Sequence, residues 1–462
     1  MRRLICNLWL ILLSTSLLTA CNSGGDSPDP VPSPPTMLSS IPAEGAKEIP
    51  SGDITIELTF DMNVTAPTVG HSKITLGDAT IVSVAANFTN VTIQATGLKK
   101  ATTYTLNIPE GVILGPAKAE APELSISFTT AAPLELNKKL CTTNPSTQAQ
   151  QVFDFLLANY GSKIISGTMA NVSWNINEAE WVNKHTGKYP ALNCFDFVHL
   201  YASPANWIDY SNTSVVEAWW NNRGLVAACW HWNVQKTSGS SDYGFYAPGK
   251  NNGKGETSFD IALAVQEGTP ENQIIKADLE KMANYLLLLK EKNIPVIWRP
   301  LHEAAGAWFW WGAKGAAPCK ALWKMMFDTF QAKGLNNLIW VWTSEGNDDA
   351  WYPGDDYVDI ISRDIYSKQT AQIATEYKNL TDKHSNKLVT LSECGNVSKI
   401  SLQWSAAATW SWFMPWYDYD RTNDPLSASF NKTDHQYANI EWWTDAINHN
   451  AVITRDEMPD LK

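Results

Sequence analysis

Positive charge is in short supply in this chain: 35 lysines and arginines stand against 47 acidic residues, for a formal net charge of −12 and a pI near 5.2. That balance argues against nucleic acid or an anionic membrane surface as partner. The seven cysteines show no CxxC or Cys/His ligand spacing, which argues against a zinc site. A Gly-x-Ser-x-Gly elbow is missing from Leu136 onward, so a Ser-His-Asp hydrolase is not indicated. The glycine fingerprint of dinucleotide binding is missing too, because Gly253-Lys-Gly255 lacks its third glycine and sits in a polar loop. Tryptophan is absent between Trp9 and Trp174, although the chain carries 22. What remains, 44% hydrophobic and 18% charged over 462 residues, is an ordinary globular composition with room for two or three domains.

Residues 1–20 read as a targeting segment, with Arg2 and Arg3 ahead of an apolar stretch, Leu8 to Leu18, too short to span a bilayer. Leu18-Thr19-Ala20-Cys21 resembles a bacterial lipobox, which places cleavage before Cys21 and a lipid on its sulfur. Residues 21–36, rich in Ser, Gly, Asp and Pro, form a flexible tether. The expectation is a lipid-anchored envelope protein of a Gram-negative bacterium. Asn22 after the cysteine points to the outer membrane, and the tether suits exposure at the surface. Cys141, Cys194, Cys229, Cys319 and Cys394 remain, enough for one or two disulfides in an exported protein.

Residues 37–132 alternate apolar and polar positions in short runs: Ile54 to Phe60, Lys73 to Leu76, Asn90 to Gln94 and Thr103 to Asn107. Gly, Pro and Asn turns separate them, the pattern of an all-β sandwich. Ser40-Ile-Pro-Ala-Glu-Gly45, Phe60-Asp-Met62 and Ile126-Ser-Phe128 resemble a bacterial Ig-like domain. Without tryptophan this domain reads as a spacer rather than a sugar-binding module.

Residues 136–462 change rhythm. Apolar strands are expected at Lys163 to Gly167, Ala191 to Val198, Leu225 to Trp232 and Ile294 to Glu303. Four more are expected at Leu338 to Glu345, Val358 to Tyr366, Leu388 to Gly395 and Trp410 to Tyr419. Helical patterns such as Asp278 to Lys290 lie between them. Eight strands alternating with helices predict an α/β fold, a (β/α)8 barrel, over an open doubly wound sheet.

Barrel enzymes carry their chemistry where strands end. Here the ends hold Trp230-His231-Trp232, His302-Glu303, Arg363-Asp-Ile-Tyr366, Glu393-Cys-Gly395 and Trp416-Tyr417. Glu303, following Ile294-Pro-Val-Ile-Trp-Arg299 and preceding Trp308-Phe-Trp-Trp311, is alone readable as a buried partner of Arg299. Strands four and seven, however, set Glu303 and Glu393 across one barrel mouth. A pair of carboxyls, one protonated and one ionised, is what glycoside hydrolysis requires, and aromatic rings suit sugar faces. A zinc protease would need a histidine at position 306, which is Gly306.

Trp298-Arg-Pro-Leu-His-Glu303, Trp308-Phe-Trp-Trp-Gly312 and Leu391-Ser-Glu-Cys-Gly395 resemble glycoside hydrolase family 26, as do Phe195 to His199 and Ser203 to Asp209. The resemblance implies a retaining glycosidase acting on β-1,4-mannosidic links in mannan, galactomannan or glucomannan, with no cofactor and no metal, and as a monomer. It implies Glu303 as acid/base and Glu393 as nucleophile. Tyr366 would orient Glu393, and Arg299 would donate to Glu393 and keep its pKa low. His302 would contact the sugar or hold Glu393, and His231 and Trp308 would line the neighbouring subsites. Trp416 would be the platform beneath the cleaved sugar; Tyr417 stands where an Arg follows it in several family members. Trp310, Trp311, Trp412, Trp442 and Trp443 are assigned to packing. Another β-glycan as substrate, or glycan binding without turnover, are the competing readings.

Overall fold

The computed structural model describes residues 33–67, 71–132, 135–171, 174–200, 208–237 and 239–462. The targeting segment, Cys21, most of the tether and the stretch from Ser203 to Trp207 lie outside the described residues.

The N-terminal domain is a sandwich of two four-stranded sheets. One sheet runs Met37–Ile41, Gly52–Phe60, Asn90–Leu98, Thr80–Asn87, and the other Ala46–Ile49, Leu124–Thr130, Thr103–Ile108, Thr75–Leu76. Strand periodicity explains its core. Ile54, Ile56, Leu58 and Phe60 alternate with Thr55, Glu57 and Thr59, and only the first set is buried. Lys73 closes a short 3-10 turn, His71–Lys73, so the strand expected from Lys73 begins at Thr75. Asp53 reaches the second domain, where Lys163 Nζ donates to it at 2.8 Å and to the Asn450 carbonyl at 2.7 Å.

That second domain is a closed barrel of eight parallel strands. In order they are Ile164–Met169, Leu192–Asp196, Leu225–Cys229, Val296–Arg299, Leu338–Thr343, Ile360–Tyr366, Leu388–Gly395 and Trp412–Pro415. The first strand pairs with both the second and the eighth, which closes the ring and excludes the open sheet. A two-residue strand, Val452–Ile453, adds to the bottom of the first. Every strand is buried along almost its whole length, as expected when helices cover one face and side chains fill the other. The helix Pro270–Glu291 shows how the covering layer forms. Thr269 caps it by accepting from Asn272 N, Pro270 sits in its first turn, and Ile275, Leu279, Met282 and Leu286 face inward.

The expected strand positions agree with these eight, but the second, third, fourth, fifth and eighth end sooner. The fourth ends at Arg299 rather than Glu303, because Pro300 has no N–H for the ladder and Leu301 turns left-handed at φ 48. The polar residues therefore stand just past the ladder, at the barrel mouth. Twelve tryptophans, Trp298, Trp310 and Trp311 among them, are less than 2% exposed and belong to the core. The five cysteines of the described residues are free thiols. No helix among those residues is long and apolar enough to cross a membrane.

Candidate active site

Two carboxyls meet above the barrel core in unlike surroundings. Glu303 enters from the segment after strand four, in a left-handed backbone conformation at φ 53, with Leu301 and Ala307 equally unusual at φ 48 and 56. Non-glycine residues in that region cost roughly 1–3 kcal/mol each and persist only where the surroundings hold them. Here they do. Trp311 Nε1 donates to the His302 carbonyl at 2.9 Å, and Trp308 Nε1 donates to Glu303 Oε2 at 2.8 Å. Gly306 makes room for that ring, because a Cβ there would lie 2.0 Å from Trp308.

Glu393 comes from strand seven. Between strands six and seven the register slips, from Arg363 opposite Leu391 to Asp364 opposite Glu393, leaving Ser392 as a bulge. A bulge bends its strand and re-aims the next side chains, and Ser392 Oγ caps Asp364 Oδ1 at 2.7 Å. Arg299 Nη2 donates to Glu393 Oε2 at 2.8 Å, and its Nη1 to Asp364 Oδ2 at 2.8 Å. Tyr366 Oη donates to Glu393 Oε1 at 2.5 Å. Gly395 leaves space for this, because a Cβ would stand 2.4 Å from Tyr437 and 2.8 Å from Tyr366.

Carboxylate oxygens of Glu303, Asp364 and Glu393 lie within 4.8 Å of one another. So tight an acidic cluster cannot be fully ionised. Burial, then the charges of Asp364, Glu393 and Glu345, push Glu303 far above the ordinary carboxylate range, with only the Trp308 hydrogen bond opposing. Glu393 is also raised, by burial and Asp364, against the pull of Arg299 and Tyr366. The expectation that Arg299 leaves Glu393 with a low pKa is thus corrected, since its charge is shared with Asp364 and outweighed by desolvation. The order survives: Glu393 has two donors and a cation, Glu303 one neutral donor, so the proton stays on Glu303.

The remaining predicted residues surround this pair. His231 Nδ1 bonds Asp196 Oδ2 at 2.7 Å, and although burial lowers its pKa, Asp196 raises it to about 10. His302 packs edge-on against His231, with ring centres 4.5 Å apart, and burial with the charge of Arg299 holds it well below its usual pKa and neutral. Its Nδ1 has no hydrogen-bond partner among the described residues, so Glu393 is held by Arg299 and Tyr366 and not by His302. Trp416 is half-buried, 5.7 Å from the His231 ring and 5.0 Å from Tyr417, which takes the position of the absent arginine. Trp310, Trp311, Trp412, Trp442 and Trp443 are all buried.

Two acidic residues carry weight that sequence reasoning gave them no role in. Asp364 shares Arg299 with Glu393, and Asp196 orients His231. Asp364 lies two residues before Tyr366, on the same strand face, and that spacing was the available signal. Among the described residues, two sets could geometrically bind a cation: Glu303, Asp364 and Glu393, and Asp196, Cys229 and His231. In the first, Arg299 already supplies positive charge to two of the three. In the second, Asp196 and His231 satisfy each other, and burial keeps the Cys229 thiol protonated.

Residues 141–444 match the family model described as glycosyl hydrolase family 26, and residues 31–130 match that of a bacterial Ig-like domain. A mannan endo-1,4-β-mannosidase from Thermothelomyces thermophilus is 36% identical over 307 residues, covering 64% of this chain and 61% of that protein. Mannan endo-1,4-β-mannosidase A from a Piromyces species is 33% identical over 338 residues, covering 71% and 52%. The chain thus spans between half and two thirds of the length of these relatives. Among solved structures, the family 26 domain of a Prevotella bryantii endo-β-mannanase/endo-β-glucanase superposes with a TM-score of 0.62 at 37% identity, covering 70% of this chain and 99% of that one. A β-mannanase from a symbiotic protist of the termite Reticulitermes speratus, complexed with a gluco-manno-oligosaccharide, gives 0.61 at 35%, covering 71% and 99%.

Proposed function

The chain belongs to glycosyl hydrolase family 26, and we propose that it is a retaining β-mannanase that cuts β-1,4-mannosidic links by double displacement. One observation carries the mechanism: oxygens of Glu303 and Glu393 approach within 4.8 Å in environments that separate their protonation. Retaining pairs sit about 5–5.5 Å apart and inverting pairs about 6.5–9.5 Å, because the latter leave room for a water. Protonated Glu303 donates to the glycosidic oxygen while ionised Glu393 attacks the anomeric carbon. The bond from that carbon to the leaving sugar breaks, and a mannosyl ester forms on Glu393. Glu303, now a carboxylate, takes a proton from water as the water oxygen attacks the same carbon, which frees Glu393 and restores the acid.

Arg299 and Tyr366 hold Glu393 in line and stabilise its charge, and Trp308 holds Glu303 beside the leaving oxygen. Neutral His302 and protonated His231 offer hydrogen bonds to sugar hydroxyls, with Trp416 as the apolar platform. Mannan as substrate rests on the relatives' activities. Incubating the protein with galactomannan, glucomannan, xylan and lichenan tests it: short manno-oligosaccharides from the first two and negligible release from the others are expected. Faster release from xylan or lichenan would replace the substrate, and release from none would leave a glycan-binding protein.

The leader and Cys21 support a lipid anchor in the outer membrane, with the tether and Ig-like domain as a spacer that holds the barrel toward polymer outside the cell. Labelled palmitate should enter the wild type and not Cys21→Ala, and surface protease should reach the barrel on intact cells. Failure of either refutes this placement.

A further inference from the structure

The glycine-rich loop Gly249-Lys-Asn-Asn-Gly-Lys-Gly255 is an anion cradle whose anion is its own Glu256. The Glu256 carboxylate accepts from Gly249 N at 2.8 Å, Asn251 N at 2.6 Å and Gly253 N at 2.9 Å. Gly249, Gly253 and Gly255 adopt φ of 75, 79 and 61, which lets the backbone fold its amides toward one acceptor. Those bonds to the charged form hold Glu256 below its ordinary pKa, although the side chain is only partly buried.

The closed loop grips the acid-bearing segment through its backbone. Tyr246 N donates to the Gly255 carbonyl at 3.0 Å and Thr257 N to the Tyr246 carbonyl at 2.8 Å. Ala247 N donates to the Trp308 carbonyl at 2.7 Å, and Trp310 N to the Phe245 carbonyl at 3.0 Å. Tyr246 is thereby pinned between the cradle and Phe309, with ring centres 5.4 Å apart. It sits near enough to Glu303 and Glu393 for their charges, after burial, to raise its phenol pKa. Among the described residues its hydroxyl has no hydrogen-bond partner.

We propose that Glu256 is a positioning residue: its carboxylate folds the 243–257 loop so that the Tyr246 hydroxyl meets the substrate beside Glu303 and Glu393. This rests on the mannanase reading of the cleft. The loop is a wall of the active site built by one carboxylate, and Tyr246 is the group it delivers.

Two readouts test it on the full-length protein. Trypsin can cut at Lys250 and Lys254 only if the cradle opens, so Glu256→Ala should speed cleavage there by about tenfold or more while the rest of the barrel resists. Kinetically, Glu256→Ala and Tyr246→Phe should each lower kcat/KM on galactomannan by about tenfold, and the double variant should fall no further than the worse single, because residues acting as a unit do not add. Should Glu256→Ala fail to fold, Glu256→Gln, which keeps the shape and one acceptor oxygen, runs the same comparison. Unchanged tryptic cleavage overturns the cradle. Multiplying kinetic losses, or full activity in Glu256→Ala with an opened loop, overturns the positioning role. A wild type that cuts no mannan sinks the functional reading, and the positioning role with it, while the tryptic pattern still decides the cradle.

Discussion

Arg299 forks between two carboxylates, giving one terminal nitrogen to Glu393 and the other to Asp364, each at 2.8 Å and with the guanidinium buried. Three acidic groups and one fixed cation thus share a water-poor space, and that imbalance keeps one proton on Glu303. Lysine cannot reproduce the fork, because it presents a single charged atom. Arg299→Lys should lower kcat/KM by roughly 100-fold or more, and breaking a buried pair costs about 3–5 kcal/mol. Kinetics and thermal unfolding check both numbers; a variant with near wild-type kcat/KM contradicts the fork's role.

Trp308 donates its indole N–H to Glu303, and a bond to the carboxylate favours the ionised form. Trp308→Phe should therefore raise the Glu303 pKa and move the alkaline limb of the kcat/KM profile to higher pH, with a lower plateau. A limb moving to lower pH would contradict this.

Gly395 is where Tyr366 and Tyr437 close over strand seven. Gly395→Ala should push the Tyr366 ring away from Glu393 and mimic Tyr366→Phe. A hydrogen bond to a charged group contributes about 1.5–3 kcal/mol, so each should lose roughly 10- to 150-fold in kcat/KM. Since both remove one bond, the double variant should lose little more than either single, and multiplicative losses would argue that Gly395 acts elsewhere.

Glu303 should destabilise the fold that uses it. Its folded pKa is raised above the unfolded value, so between those values the folded state holds a proton that the unfolded state has lost. Stability then falls as pH rises from the unfolded pKa near 4.5 through the neutral range. Glu303→Gln removes this penalty and should be inactive yet more stable at pH 7, by roughly 1 kcal/mol or more, since one pKa unit is about 1.4 kcal/mol. The gain should vanish below pH 4.5. Denaturant unfolding at pH 4 and pH 7 measures it, and equal differences at both would contradict it.

Much of this is legible in the residues alone. The eight barrel strands are readable because each is short, rich in apolar residues and set off from the next by a helical pattern, and Glu303 and Glu393 because they stand just past or near the ends of two of them. The ends themselves are less legible: Pro300 and the left-handed Leu301 stop strand four early, and the Ser392 bulge shows no residue signature. Asp364 and Asp196 escape for a related reason. A lone acidic residue at a strand end reads as an ordinary ion pair until the structure shows Asp364 sharing Arg299 with Glu393 and Asp196 holding His231 beside His302. The tryptophans separate as the sequence reading sorts them: Trp310 and Trp311, assigned to packing, are core, while Trp308, two residues before Trp310, touches Glu303. The glycine-rich loop at Gly253-Lys-Gly255 lacks the dinucleotide fingerprint, and that it binds Glu256 depends on amides that the folded backbone brings together.

Above all, Glu303 and Glu393 stand close enough for direct attack rather than water activation. Proton NMR of the anomeric region during the first minutes of manno-oligosaccharide hydrolysis tests this most directly. The β-anomer of the newly formed reducing end should appear first and only then mutarotate toward the α form. If the α-anomer appears first, a water has attacked across the pair, and double displacement through Glu393 is wrong.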